Sequence, residues 1–341
     1  MSAESGPPPH VAVMQMVMGV WVAQIASAVA QLGVADNIAK GKVSVDELAA
    51  ECSANPEALY RLLRAAATIG LCAETAPRHF ALTPIGDALR SDAPHSMRDF
   101  LVAETAPGHW LPWGRLADAI RRGGPMTEEV LGESAWDYYA SHIDEAKCFA
   151  RGMSNLSTIA SEDVARVYEP GDVKRIVDVG GSEGVLLRGL LARVPGARGV
   201  LFDRPEIIDA AKGAIASSGM ADRIEIVGGD FLSEVPDGAD LYVLKSILHD
   251  WPDAQCETIV RNVHRAAAPD SRLLVVEMTM PDGPAGAPSP VPLMDMNMLV
   301  MLGGRERTAS EFGALLARCG YMVERVIPTP GPFSVIEARR V

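Results

Sequence analysis

Residues 175–184 read Arg-Ile-Val-Asp-Val-Gly-Gly-Ser-Glu-Gly, and the fold follows from them. A short apolar run carries Asp178 near its end, breaks into a glycine-rich turn and passes straight into a helical pattern from Glu183 to Val194. An apolar run without polar alternation marks a strand buried on both faces, the condition of a parallel sheet covered by helices. The same unit recurs downstream. RGVLFD (198–203), RIEIVGGD (223–230), DLYVLKSIL (240–248) and RLLVVEM (272–278) are further strands of this kind, with helical segments at 205–218 and 254–268. That alternation predicts a doubly wound α/β sheet over residues 169–341. The end of the chain differs: a capping box spans Thr308 to Glu311, a helix follows to about Cys319, and 321–329 with 333–340 predict an antiparallel hairpin.

Upstream the periodicity is helical. Ser44-Val-Asp-Glu47 is a capping box, and Asn55-Pro56 supplies an N-cap and a first-turn proline for a helix with Leu59, Leu62, Leu63, Ala66 and Ile69 on one face. Gly70 ends that helix, a hairpin follows, and Thr83-Pro84 caps another helix. Helix, turn, helix and wing predict a mainly α winged-helix domain over 1–100. A helical linker with scattered aromatics, 101–168, is expected to line a substrate pocket. Arg61 and Arg64 on the second helix admit a DNA-binding regulator, but the net charge of −13 repels phosphate, and a dimerisation scaffold is the favoured reading.

From Val11 to Ala35 the chain carries no charged residue, which is long enough for a bilayer. Glutamines and small residues interrupt the run, so the expectation is a helix covered by a partner subunit and no membrane span. A composition with 48% apolar and 22% charged residues is that of a soluble globular protein. Five scattered cysteines, none in a C-x-x-C pair, argue against disulfides and a zinc site and for the cytoplasm. No other tight cluster of metal ligands is evident, so no metal is expected.

In an open α/β sheet the ligand sits at the carboxyl ends of the strands. Gly180, Ser182 and Gly184 do not match the dinucleotide spacing G-x-G-x-x-G. Asp178, Asp203 and Asp230 end three successive strands. Carboxylates repel a pyrophosphate but suit a nucleoside carrying an amino acid. Asp203 is placed to accept ribose hydroxyls, Asp230 to accept from an adenine amino group, and Phe231 to cover the adenine face.

VDVGGSEG, FDRP, GGDF, YVLKSILHDW and GGRERT, in this order, resemble the class I S-adenosylmethionine-dependent O-methyltransferases of the plant caffeate and bacterial natural-product type, and the likeness covers nearly the whole chain. It implies a Rossmann-like catalytic domain, a homodimer joined through the N-terminal domain, and S-adenosyl-L-methionine as cofactor. Gly180 and its neighbours would cradle the methionine part, and Lys245 would line the pocket. The chain departs from the family at Ser182, which stands where D-x-G-x-G-x-G has its central glycine. By the same resemblance Phe149, Met153, Asn297 and Met301 line the acceptor pocket, although each is equally a core residue.

Methyl transfer to a phenol needs a base, since a phenol ionises near pH ~10. His249 lies just past the fourth strand, at the sheet's carboxyl edge. Glu277 ends the neighbouring strand and can orient it; Glu306 is a second such carboxylate by resemblance, and Asp250 is a candidate contact to the substrate. The expected activity is thus O-methylation of a small, phenolic, secondary-metabolite-like molecule. The alternatives are a fold relative that binds the same cofactor for hydroxylation, decarboxylation or cyclisation, and, from another class, the winged-helix regulator.

Overall fold

The structure, a computed structural model, describes residues 7–283 and 289–341. The chain divides into two compact units, residues 1–110 with 139–155, and 111–138 with 156–341. The long helix Ile143–Val167 belongs partly to each.

In the first unit the local signals operate as their chemistry requires. Ser44 Oγ accepts from the Glu47 backbone N–H at 3.3 Å while the Glu47 carboxylate accepts from the Ser44 N–H at 3.2 Å, opening the helix Val45–Glu51. Asn55 Oδ1 accepts from the Ala58 N–H and starts the helix Pro56–Thr68. That helix buries Leu59, Leu63 and Ala66 against Leu48 and Phe80, the latter from the hairpin β1 (Cys72–Ala76) and β2 (His79–Leu82). The winged-helix order is therefore present. The helix Pro9–Gln31 behaves differently: Ser27, Val29 and Ala30 are buried, but Val13, Met14, Met16, Val17 and Trp21 are exposed. It is long and apolar enough to cross a membrane by length and composition, and an exposed apolar surface of this kind marks a site that another surface covers.

The second unit holds β3 (Arg175–Val179), β4 (Arg198–Asp203), β5 (Ile224–Gly228), β6 (Leu241–Lys245), β7 (Arg272–Met280), the two-residue β8 (Arg307–Thr308), β9 (Tyr321–Pro328) and β10 (Phe333–Arg340). Their order is β5-β4-β3-β6-β7-β10-β9, with β8 beside β7. The first five strands are parallel and β10 runs antiparallel to both neighbours. Successive side chains point to opposite faces: Val177 and Val179 enter one apolar layer, Ile176 the other. The chain steps outward from β3 through β4 to β5, then returns to place β6 on the other side of β3. The crevice between β3 and β6 is thus the switch point where such sheets bind ligands.

Register then positions the chemistry. Lys245 pairs with Val276, which leaves Glu277 one residue beyond the end of β6, level with the loop that carries His249. Thr279 pairs with Arg307, which brings Glu306 to the same rim.

Candidate active site

At the β3 end of the rim, Gly180 has φ +71°, and a Cβ there would come within 2.4 Å of Ile247. Ser182 is held at φ +51°, in the left-handed region that side chains disfavour by about 1–2 kcal/mol. The departure from glycine noted in the sequence is thus carried at a strained position. Its backbone N–H donates to Asp203 Oδ2 at 2.8 Å, and the Arg204 N–H donates to Oδ1 at 2.8 Å. Asp203 is thus fixed by two backbone donors. Asp230 is exposed and caps its own turn through the Leu232 N–H, while Phe231 packs edge-on against Trp251 at 6.0 Å.

Asp178 corrects the sequence reading. It is buried in the sheet beneath Gly181, not presented at the rim, and burial pushes its carboxyl up to about 7 against the pull of Lys245. Lys245 in turn donates to Ser157 Oγ at 2.9 Å. Burial lowers its pKa, opposed by Asp178, Glu277 and Asp250. The carboxylates at this end of the rim are therefore two, Asp203 and Asp230, with the glycine turn between β3 and its helix. This donor set fits a nucleoside joined to an amino acid.

Across the switch point His249 meets three carboxylates. Its Nδ1 lies 2.9 Å from Glu306 Oε1 and 3.8 Å from Glu277 Oε2; its Nε2 lies 3.4 Å from Asp250 Oδ1. The side chains of Glu277 and Glu306 are fully buried. Glu277 Oε1 accepts from the backbone N–H groups of Ile247 and Leu248 at 3.0 and 2.8 Å, pinning the start of the His249 loop. Among the described residues, the second oxygens of Glu277 and Glu306 have no hydrogen-bond partner. Burial alone would push the imidazole down, but Glu277, Asp250 and the hydrogen bond to Glu306 outweigh it and raise His249 to about 10. Burial also raises Glu277, to about 7, and Asp250. The result is an imidazole held by its Nδ1, with Nε2 as the nitrogen that can exchange a proton. The sequence suggested no tight cluster of metal ligands, yet His249, Glu277 and Glu306 bring one ligand atom each to within 4.8 Å of one another. A single shared proton at 2.9 Å already joins two of the three.

Two parts of this site were invisible in the sequence. Arg307 is 1% exposed and reaches both flanks of the His249 loop, donating to the carbonyls of Leu248 at 2.9 Å and Trp251 at 3.1 Å and to Asp253 at 2.6 Å. Its neighbour in GGRERT had drawn the attention. Asp295 accepts from the Glu306 N–H at 2.9 Å; a lone carboxylate in the apolar stretch VPLMDMNMLVM was the available signal. Gly304 has its own reason, because a Cβ there would stand 1.9 Å from the His249 carbonyl oxygen.

The expected acceptor contacts divide. Met301 is 3% exposed in a core cluster with Ala119, Met126 and Val300. Asn297 is buried and accepts from the Trp113 indole N–H at 2.8 Å. Phe149 and Met153 are half-buried on the first unit's part of the helix Ile143–Val167.

A glycine turn, strand-end carboxylates and a buried imidazole–dicarboxylate cluster lie together on one sheet rim, the place where such sheets bind ligands. Residues 113–322 match the O-methyltransferase domain family, and residues 14–92 match the O-methyltransferase dimerisation domain. The chain is 37% identical to a phenazine O-methyltransferase of Lysobacter antibioticus over 96% of this chain and 95% of that one. It is 34% identical to the 8-amino-8-demethylriboflavin N,N-dimethyltransferase of Streptomyces davaonensis, over 93% and 92%. Human N-acetylserotonin methyltransferase, solved with S-adenosylmethionine, superposes with a TM-score of 0.90 at 26% identity over 99% of both chains. The chain belongs to the O-methyltransferase family, with an N-terminal dimerisation domain, and S-adenosylmethionine is its cofactor.

The close approach at Gly304 gives a direct test of how the rim is built. Gly304→Ala forces a methyl group against the His249 carbonyl, and about 1–3 kcal/mol of destabilisation is expected. The His249 imidazole should also titrate lower as Glu306 is displaced. Thermal melts and 15N-imidazole NMR check both; an unchanged His249 pKa would show that the loop contact does not hold Glu306 in place.

Proposed function

We propose that the protein transfers a methyl group from S-adenosylmethionine to a phenolic hydroxyl of a small aromatic secondary metabolite, with His249 as general base. The relatives' names are those of enzymes of aromatic molecules, and we extend that class to this chain. The observation that carries the reading is the 2.9 Å contact of His249 Nδ1 with Glu306. It fixes the tautomer and leaves Nε2 to take the acceptor's proton, as a carboxylate does for a catalytic imidazole elsewhere.

The cofactor, when bound, supplies a methyl group on a cationic sulfonium. Asp203, Asp230 and Phe231 are the residues that would hold its nucleoside end, and the turn from Gly180 to Gly184 its amino-acid end. His249 sheds its resting proton more readily beside a positive charge, with Asp250 standing 3.4 Å from Nε2 as the group the acceptor hydroxyl replaces. His249 then takes the hydroxyl proton. Glu277, Asp250 and Glu306 hold the imidazole above the ordinary histidine range, which brings it nearer to a phenol ionising near ~10. Glu277 and Glu306 stabilise the imidazolium that results. Asn297 is a further acceptor contact. Hydroxyl acceptors are favoured over amines because a neutral amine already has its attacking lone pair and does not need a buried, doubly braced base.

His249→Gln should lower turnover of phenols by about 10²–10⁴-fold and leave binding of S-adenosylhomocysteine unchanged. In the wild type, kcat/KM should keep rising through neutrality, because the unprotonated imidazole is the reactive form and its pKa is raised. Formation of S-adenosylhomocysteine across a phenol screen is the assay; near-normal turnover by the variant would remove His249 from its role.

We further infer that the chain works as a homodimer in which a second copy covers the helix Pro9–Gln31. The dimerisation family match and the exposed apolar residues support this. The five free cysteines accord with a cytoplasmic enzyme. Val17 and Trp21 make the test, since both are exposed. Replacing them together with glutamate should convert the dimer to a monomer in sedimentation runs, and a variant that stays dimeric would place the interface elsewhere.

A further inference from the structure

We propose that the groove between the helices Asp253–Ala266 and Ala309–Arg318 is an anion site, one that takes a small phosphate-bearing molecule on Arg261, Arg265 and Arg318. It lies wholly within the second unit and shares no residue with the His249 cluster or the glycine turn.

The two helices pack through Cys256, Ile259 and Val263 on one and Phe312, Leu315 and Leu316 on the other, all in one apolar layer. Beside that contact a cavity of about 510 Å³ opens, within the size range of small-molecule sites. Its lining includes Arg261, Arg265, Arg318, His264 and Asn262, and no carboxylate. The chain as a whole carries a net charge of −13. Three guanidiniums on one concave surface reverse that sign locally, and a cleft lined by one sign of charge concentrates its field.

The carboxylate that serves these arginines is Glu257, and it does not balance them. Its Oε2 accepts from Arg261 Nη2 at 2.7 Å and its Oε1 from Arg318 Nε at 2.8 Å. One negative charge is thus shared by two arginines. Among the described residues, the other guanidinium nitrogens of both have no hydrogen-bond partner. Arg265 makes no ion pair among the described residues; its Nη2 donates instead to Asn262 Oδ1. Asn262 is buried and its Nδ2 donates to the Phe231 carbonyl at 2.8 Å, which fixes the amide and with it the guanidinium. Arg340, with Nε 3.5 Å from His264 Nε2, adds a fourth positive charge that likewise has no ion pair among the described residues.

The helix dipole favours a cation in any last turn, and this accounts for Arg265 and Arg318 taken singly. It does not account for two last turns meeting at one groove without a carboxylate in its lining, nor for Arg261 one turn earlier. The arrangement has a definite complement. A carboxylate offers two oxygens and is filled by one guanidinium fork. A phosphate offers three and can accept from forks that arrive on separate sides.

The test is calorimetric titration of inorganic pyrophosphate into the full-length protein, saturated with S-adenosylhomocysteine so that the cofactor cleft is filled. In about 0.15 M sodium chloride, where attraction between exposed charges is screened beyond roughly 8 Å, the wild type should bind one pyrophosphate per chain. Arg265→Gln and Arg318→Gln should each weaken binding about tenfold or more, as the loss of a charge-assisted hydrogen bond does. Both side chains are exposed, so both variants should melt as the wild type does. Arg121→Gln removes an exposed arginine of the same unit outside the groove, and it should leave the affinity as it was. No saturable binding by the wild type, undiminished binding in either groove variant, or an equal loss in Arg121→Gln would each overturn the proposal.

Discussion

The hydrogen bond between His249 Nδ1 and Glu306 Oε1, made where water is largely excluded, is the interaction on which the site depends. An isolated ion in that position would lose its charge by a shift in pKa. Here each member is tolerable because the others are present. Glu277 and Glu306 are fully buried, each with one oxygen unpartnered. The imidazole between them is raised because both surround it. The arrangement resembles a spring set against itself: burial opposes ionisation, and the cluster's own charges restore it. Such a balance responds strongly when a further positive charge or a hydroxyl arrives at Nε2.

The rest of the second unit can be understood as what holds that hydrogen bond in place. Parallel register puts Glu277 one residue past β6 and Glu306 beside it through β8. Arg307 clamps the carbonyls on both sides of His249 and Asp250, and Gly304 lets the two loops touch. A rigid support of this kind holds the imidazole in one orientation. By contrast, strain is kept at Ser182, where a left-handed residue sits on the cofactor turn and its N–H is committed to Asp203.

Much of this was legible before any coordinates. The strands announced themselves because burial on both faces leaves an uninterrupted apolar run, and the caps because Ser44, Asn55, Thr83 and Thr308 have few other reasons to stand where they do. His249 and Glu277 followed from lying at strand ends. Arg307 did not, because an arginine beside a glutamate looks like a surface pair until register shows it turned inward. Met301 shows the opposite difficulty: apolar periodicity identifies a buried face without telling core from cavity wall. Asp178 was taken for a ligand contact because strand position gives depth only to within a residue.

In the proposed mechanism an acceptor oxygen gives its proton to Nε2 while Glu306 holds Nδ1. A crystal structure with S-adenosylhomocysteine and a phenol that the enzyme methylates reads this directly. The expected result is the phenolic oxygen within about 2.6–3.2 Å of Nε2, Asp250 moved off that nitrogen, and Nδ1 still on Glu306. A phenolic oxygen directed at another group, or an imidazole rotated away from Glu306 with the acceptor in place, would contradict it.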